Sequence, residues 1–254
     1  MSKPTITVSI IGHNEASDLE RCFKSVNWAD EIIYVDCESE DNSIDVAKRF
    51  TKNVFKRKNE LNLNINKNFG FSKSTSDWIL YVDPDEEIPK EMADWMLEEI
   101  KTPRAAAYTF KRKNINIGKW LKYGAQYPDT QLRLFQKEKA IFAEKGVHER
   151  LSVDGKIMNT DLFFLHYAYK SFSSYLHKAQ FYSDTEANFL YNANVQPGPG
   201  SSLKYIVWKP VTRFIKRYFF KLGFLDGMRG LGAAFFDSLN FPLRYFKLWE
   251  KYQK

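Results

Sequence analysis

The residues best placed to do chemistry together are acids. In "DWILYVDPDEEI", residues 77–88, an apolar run from Trp78 to Val82 leads straight into Asp83, Asp85, Glu86 and Glu87. Carboxylates gathered this closely repel one another unless a cation joins them, and their oxygens suit Mg2+ or Mn2+. Pro84 stiffens the turn between Asp83 and Asp85, so both can be held toward one point. Mg2+ takes about one or two protein carboxylates and completes its shell with water and substrate phosphates. An Asp-x-Asp element here is therefore a good site for a metal–diphosphate. Glu86 and Glu87 read as solvated loop acids; Glu86 is placed to assist the pair, and Glu87 to favour the N-terminus of the helix that follows.

The elements that must carry these acids follow from periodicity. Strand runs are expected at "TITVSII" (5–11), "EIIYVD" (31–36), "NVFK" (53–56) and "WILYV" (78–82). Between them "SDLERCFKSV" (17–26), "DNSIDVAKRF" (41–50) and "NINKNFGFSKST" (64–75) carry helical patterns. "PKEMADWMLEEI" (89–100) opens a further helix, with proline in its first turn. This alternation predicts an α/β fold with a mostly parallel central sheet and helices on both faces. Ligands of such sheets sit beyond the carboxyl ends of the strands. The polar stretches "GHNE" (12–15), "DCESED" (36–41) and "DPDEE" (83–87) follow three of those ends.

Residues 104–170 carry shorter β-like runs, 173–192 look helical, and "NVQPGPGSS" (194–202) reads as a linker. The expected division is a first half over 1–100, a second half of the same domain over 101–195, and a C-terminal extension over 201–254. That extension holds eleven Lys and Arg against three Asp and Glu, which by itself exceeds the chain's net charge of +7. Such asymmetry points to an anionic partner for this part. Two cysteines, Cys22 and Cys37, rule out a disulfide framework and fit a reducing compartment. No run approaches the roughly 20 apolar residues that span a bilayer. The opening "MSKPTITVSI" has no secretory pattern. A cytoplasmic protein is expected.

The stretch "TVSIIGHNEASDLERCFKSVNWADEIIYVDCESEDNSIDVAKRF", followed by "DWILYVDPDEEI", resembles the N-terminal half of a family 2 glycosyltransferase of the A-type nucleotide-sugar fold. Through "YPDTQLRLFQ", "GVHERL", "LHYAYKSFSSYLHKA" and "GFLDGMRG" it is most similar to the bacterial lipopolysaccharide inner-core glucosyltransferases. The resemblance implies a Rossmann-like sheet and an inverting transfer of a hexose, glucose from UDP-glucose, onto a lipid-anchored inner-core saccharide. It implies that 1–100 binds the donor and 101–195 the acceptor. It places Gly12, His13, Asn14, Glu15 and Asp36 around the nucleotide, with Lys67 and Asn68 near it. Asp83 and Asp85 would handle metal and diphosphate, both as metal residues for Mg2+ or Mn2+, with Asp85 ranked ahead of Asp83 as the direct ligand. Many relatives carry two adjacent Asp where this chain has Asp36-Cys37.

Inversion by direct displacement needs a base to take the acceptor hydroxyl's proton. Glu149 in "KGVHERL" is the first candidate and Asp129 in "YPDTQLRLF" the second. His148 and His166 have metal or phosphate contact as one reading, although a histidine in an aromatic run such as "LFFLHYAY" is more often a hydrogen-bonded core residue. Arg133 either neutralises phosphate or forms a structural salt bridge.

On a helical wheel, Lys209, Arg213, Lys216, Arg217 and Lys221 share one face, and Val211, Phe214, Ile215, Tyr218 and Leu222 the other. This is the pattern of a helix lying in a membrane interface, its 204–221 basic face toward anionic lipid at the cytoplasmic surface of the inner membrane. The competing reading is a helix packing that apolar face on its own domain. "GFLDGMRG" (223–230) turns the chain between helices, and Asp226 there is a further acceptor-site candidate. Other hypotheses are a polyprenyl-linked or peptide acceptor, an Asp-x-Asp phosphotransferase, and a non-catalytic binder of anionic lipid or nucleic acid. Nucleic acid is not expected as a partner, because a pure binder has no use for carboxylates beside a sheet.

Overall fold

Every residue of the first strand, β1 (Ile6–Gly12), is buried, and its place inside the sheet is the reason. A strand with partners on both edges and helices on both faces has no polar side to present. The computed structural model describes residues 3–60, 62–143 and 151–253. β1 pairs in parallel with β2 (Glu31–Cys37) and β4 (Trp78–Val82), and β2 pairs in parallel with β3 (Asn53–Arg57).

Beyond β4 the chain adds β5 (Glu86–Glu87), β6 (Ala107–Asn116), β7 (Lys119–Trp120), β8 (Asp129–Gln136), β9 (Ala140–Phe142), β10 (Leu151–Val153) and β11 (Ile157–Tyr169). The main sheet runs β3-β2-β1-β4-β8-β6-β11-β5, and β9 and β10 form a separate ribbon. The sheet is mixed. Its first four strands are parallel, whereas β8 runs antiparallel to β4, and β5 antiparallel to β11.

Helices cover both faces of the parallel part. On one face Ile6, Val8 and Ile10 of β1 share a core with Leu19, Cys22, Phe23 and Val26 of α1 (Ala16–Val26) and with Met92 and Met96 of α4 (Lys90–Glu99). Between them in sequence comes the short α2 (Ser43–Lys48). On the other face Phe71 of α3 (Leu63–Lys73) packs on Ile79 and Tyr81 of β4. α3 passes so close to β1 that a Cβ on Gly70 would lie 2.5 Å from Ser9 Oγ, which is why glycine stands there. The proline expected inside α4 is its N-cap: Pro89 is extended, and the helix begins at Lys90.

The chain divides into two compact units, Met1–Arg112 with Thr130–His166, and Lys113–Asp129 with Tyr167–Lys254. The division cuts through the stretch 101–195. The second unit holds α5 (Phe172–Asn192), started by a capping box in which Ser171 and Ser174 bond reciprocally. A helical run follows: α6 (Pro199–Ser202), a π-helical Leu203–Trp208, α7 (Lys209–Ile215) and a π-helical Lys216–Phe220. The expected linker is thus shorter than it reads, because its second half is the first turn of this run. A 3-10 turn at Gly223–Asp226 then leads to α8 (Gly227–Gln253), as "GFLDGMRG" suggests.

The helical run buries only part of its apolar face: Phe214 and Tyr218 are half-buried, with Tyr218 edge-on to Phe224. Arg213 Nε and a terminal nitrogen of Arg217 lie 2.5 and 2.9 Å from Asp237 Oδ2 on α8. Lys209 Nζ lies 4.1 Å from the centre of the Tyr205 ring. Tyr205 itself is buried, stacked on Tyr245 of α8. Val211 and Ile215 are exposed. Of the two readings of this face, packing on its own domain holds in part for Phe214 and Tyr218 and not for Val211, Ile215 and Leu222, while part of the basic face turns inward.

Candidate active site

The parallel strands end at one edge, and the expected polar stretches meet there. Gly12 at the end of β1 is in register with Asp36 near the end of β2. Pro84 lies against it, and a Cβ on Gly12 would come 3.1 Å from Pro84 Cγ. His13 Nδ1 contacts the Cys37 carbonyl at 2.7 Å. Asn14, in the left-handed region at φ 57° that asparagine tolerates, accepts the Glu40 N–H on its side-chain oxygen at 2.8 Å. The Glu15 N–H donates to Ser43 Oγ at 2.9 Å. Asp36 is buried and accepts the Ser39 N–H at 3.1 Å. These bonds clasp "GHNE" to "DCESED" and leave a preformed lip above β1 and β2. Where many relatives have a second aspartate, Cys37 is buried and receives Asn66 Nδ2 at 3.2 Å.

The Asp-Pro-Asp turn closes on itself. The Asp83 N–H donates to Glu86 Oε2, and the Glu86 N–H to the Asp83 carbonyl, each at 3.0 Å. Arg133 reaches the turn from β8. It is buried, donates to Asp83 Oδ2 at 3.0 Å and also to Glu86, and stacks 4.3 Å above the Tyr81 ring. Lys67 of α3 brings its Nζ to 3.8 Å from Asp83 Oδ1. Burial by itself would raise the Asp83 carboxyl, but Lys67 and Arg133 outweigh it and hold the group well below the usual carboxylate range. Burial pushes Glu86 up to about 7, against the pull of Arg133 and helped by the charge on Asp83. Glu86 is fully buried in this network, which corrects its expected place in a solvated loop. Glu87 lies on β5, before the helix begins, 3.9 Å from Arg21 Nε.

Asp85 stands differently. Its Oδ2 lies 3.5 Å from His166 Nε2, both side chains being mostly buried. The pairing of β5 with β11 makes this neighbour, because His166 is opposite Glu86 in the ladder. Two ligands, each about 2.1 Å from one octahedral cation and at right angles, stand roughly 3 Å apart. The Asp85–His166 pair therefore fits a divalent ion with a small adjustment. Among the described residues no three His, Cys, Asp or Glu side chains converge as a fuller cage. Such a partial shell suits a metal whose remaining positions go to water and phosphate. The one sequence signal for His166 is strand alternation, which puts it on the same side as buried Phe164.

Asn68 turns its amide to the backbone of Phe142, donating at 2.8 Å and accepting at 3.1 Å. Asp129 belongs to the second unit, where Asn114 Nδ2 lies 3.5 Å from its Oδ2. Asp226, also there, is buried and accepts the Tyr123 N–H at 2.9 Å, a structural brace. Glu149 and His148 lie outside the described residues.

Residues 7–158 match the family described as Glycosyl transferase family 2. An uncharacterized glycosyltransferase of Rickettsia prowazekii is 30% identical over 95% of this chain and 84% of its own length. Its counterpart in Rickettsia typhi is 28% identical over the same shares. Among solved structures, the mannosyltransferase PcManGT of Pyrobaculum calidifontis, in complex with GDP-Man and Mn2+, has a TM-score of 0.50 at 12% identity. That likeness, one of fold, covers 98% of this chain and 75% of the other.

Proposed function

The chain belongs to glycosyl transferase family 2, and from that premise we propose that it moves glucose from UDP-glucose onto a lipopolysaccharide inner-core saccharide. It is a glycosyltransferase of the A-type fold; donor and acceptor are the parts proposed. The observation that carries the reading is the Asp85–His166 pair beside the Asp-Pro-Asp turn, at the carboxyl edge of four parallel strands.

Asp85 and His166 would hold Mg2+ or Mn2+. Bound there, the ion would stabilise negative charge on the departing diphosphate. Arg133 fixes Asp83 from behind, and Asp83 in turn holds the Lys67 ammonium at the edge of the site, within reach of a phosphate. Gly12, His13, Asn14, Glu15 and Asp36 form the lip on which the nucleoside rests, and Asn68 braces the wall beside it through Phe142. Glu149, or Asp129 in its place, takes the proton from the acceptor hydroxyl as its oxygen attacks the anomeric carbon opposite the leaving diphosphate. The anomeric configuration inverts in that single displacement. A lipid-anchored acceptor sets the enzyme to work at the cytoplasmic face of the inner membrane.

The test is nucleotide release from a panel of nucleotide sugars, with and without Mn2+ and acceptor. Metal-dependent release from UDP-glucose alone is expected, and no release from any donor would sink the reading. Asp85→Ala should lose at least about a hundredfold in turnover; full activity in that variant refutes the metal assignment. Full activity in Glu149→Gln would pass the base role to Asp129.

A further inference from the structure

The helical run from Leu203 to Phe220 exposes an apolar line that its own unit leaves bare. Leu203, Val207, Val211, Ile215 and Phe219 recur every four residues, and each is exposed. A spacing of four drifts steadily around an α-helix, whose turn takes 3.6 residues. It drifts the opposite way in a π-helix, whose turn is wider. Because π-helical stretches flank α7 on both sides, the two drifts offset and the five side chains stay on one line. Trp208 and Phe220 border that line at 68% and 78% exposed, and Met228, just past the 3-10 turn, is 73% exposed.

Arg213 and Arg217 lie on the opposite side of the run and are spent on Asp237. Lys204, Lys216 and Lys221 remain exposed. A continuous apolar strip of this length is rare on a surface that only water touches. Its composition, with tryptophan and phenylalanine at the margins and lysines beside them, suits the boundary between headgroups and acyl chains. The segment's large excess of cations selects an anionic surface. No helix among the described residues is long and apolar enough to cross a membrane, so contact would be in the plane.

We propose that the Leu203–Phe219 line is the membrane-contact element: it lies along an anionic bilayer with its apolar side chains inserted, while Arg213 and Arg217 face the protein. The contact is made by the apolar side of the run, and the basic side supplies only the lysines at its margin. The benefit to catalysis rests on the proposed lipid-anchored acceptor, but the contact itself needs neither donor nor acceptor.

The test is sedimentation of the full chain with phosphatidylcholine vesicles, with and without phosphatidylglycerol, together with the protein's mass in solution. Wild type should bind the anionic vesicles as a monomer. The variant Val207→Ser, Val211→Ser, Phe219→Ser should bind at least about tenfold more weakly. Its circular dichroism and its nucleotide release with a soluble acceptor should be unchanged, since all three side chains are already in water. Quenching of Trp208 by brominated lipid, lost in Trp208→Phe, would place that ring in the bilayer. Unchanged binding by the serine variant overturns the proposal. So does a wild-type dimer that the variant dissociates, since the line would then be an interface with a second copy. Vesicle binding without turnover on any donor would leave this inference standing and count against the activity alone.

Discussion

α1 and the helical run Leu203–Phe220 have the same kind of sequence and opposite fates. In α1 the apolar stripe of Leu19, Cys22, Phe23 and Val26 is completely buried. In the helical run the apolar line faces out, and the arginines face α8. Periodicity tells which residues share a face. It does not tell which way that face points, because orientation depends on what the rest of the chain offers as a partner. Beside α1 there is a sheet with an apolar surface; beside the helical run, Asp237 and the aromatic residues of α8 draw in the cations instead.

Removing packing from each face should separate the two. Phe23→Ala, which deletes a ring held between Phe50 and Tyr34, is expected to cost about 3–5 kcal/mol in urea unfolding. A cost under about 1 kcal/mol would mean that α1 is no better buried than the tail.

The charged interiors of the two units offer a second contrast. Arg133→Met leaves Asp83 and Glu86 facing each other without their shared cation, and should cost about 3 kcal/mol at pH 8. The loss should shrink as pH falls, because Glu86, already pushed up to about 7 beside Arg133 and higher without it, takes its proton and the repulsion between the two acids relaxes. A pH-independent loss would show that the repulsion is not what the arginine relieves.

In the second unit, Asp237→Asn should cost about 1–2 kcal/mol near neutral pH. Burial alone would raise the Asp237 carboxyl, but Arg217 and Arg213 hold it below its ordinary value. The folded pKa is therefore lower than the unfolded one. The ion pairs stabilise fully above about pH 4, and that contribution is lost as pH falls through the folded value. Wild type and variant should converge in acid; a gap that widens there would contradict the pairing. The smallest effect belongs to Ile215→Ala, expected within about 0.5 kcal/mol of wild type because the side chain is already in water. A loss near 2 kcal/mol would mean that the apolar line is covered in solution, and by the protein's own mass one could tell whether a second copy covers it.

Much of the first unit was legible in the chain itself. β1 to β4 and the helices between them fall within a residue or two of their periodic runs, because strands buried on both faces and helices lying on them have little freedom of pattern. The Asp-Pro-Asp turn lies at the edge where its place after β4 puts it. What could not be read was the second shell of pairings. Glu86 looks like a solvated acid until β8 delivers Arg133, and His166 looks like a core residue until β11 pairs with β5 beside Asp85. Both neighbours arrive from at least 47 residues away in sequence, and no local pattern encodes such a distance.

By itself, then, the amino-acid order determined the parallel half of the sheet, the place of "GHNE" and "DCESED" after its strands, and the turn that presents two aspartates. These depend on the alternation of apolar and polar residues and on turn chemistry, which act over a few residues. Tertiary structure alone decided which aspartate stands with a histidine and which is held by an arginine. It also decided that an amphipathic helix shows one line of its apolar side chains to solvent. Antiparallel pairing and helix docking bring together residues far apart in the chain, and burial then converts that proximity into charge and exposure.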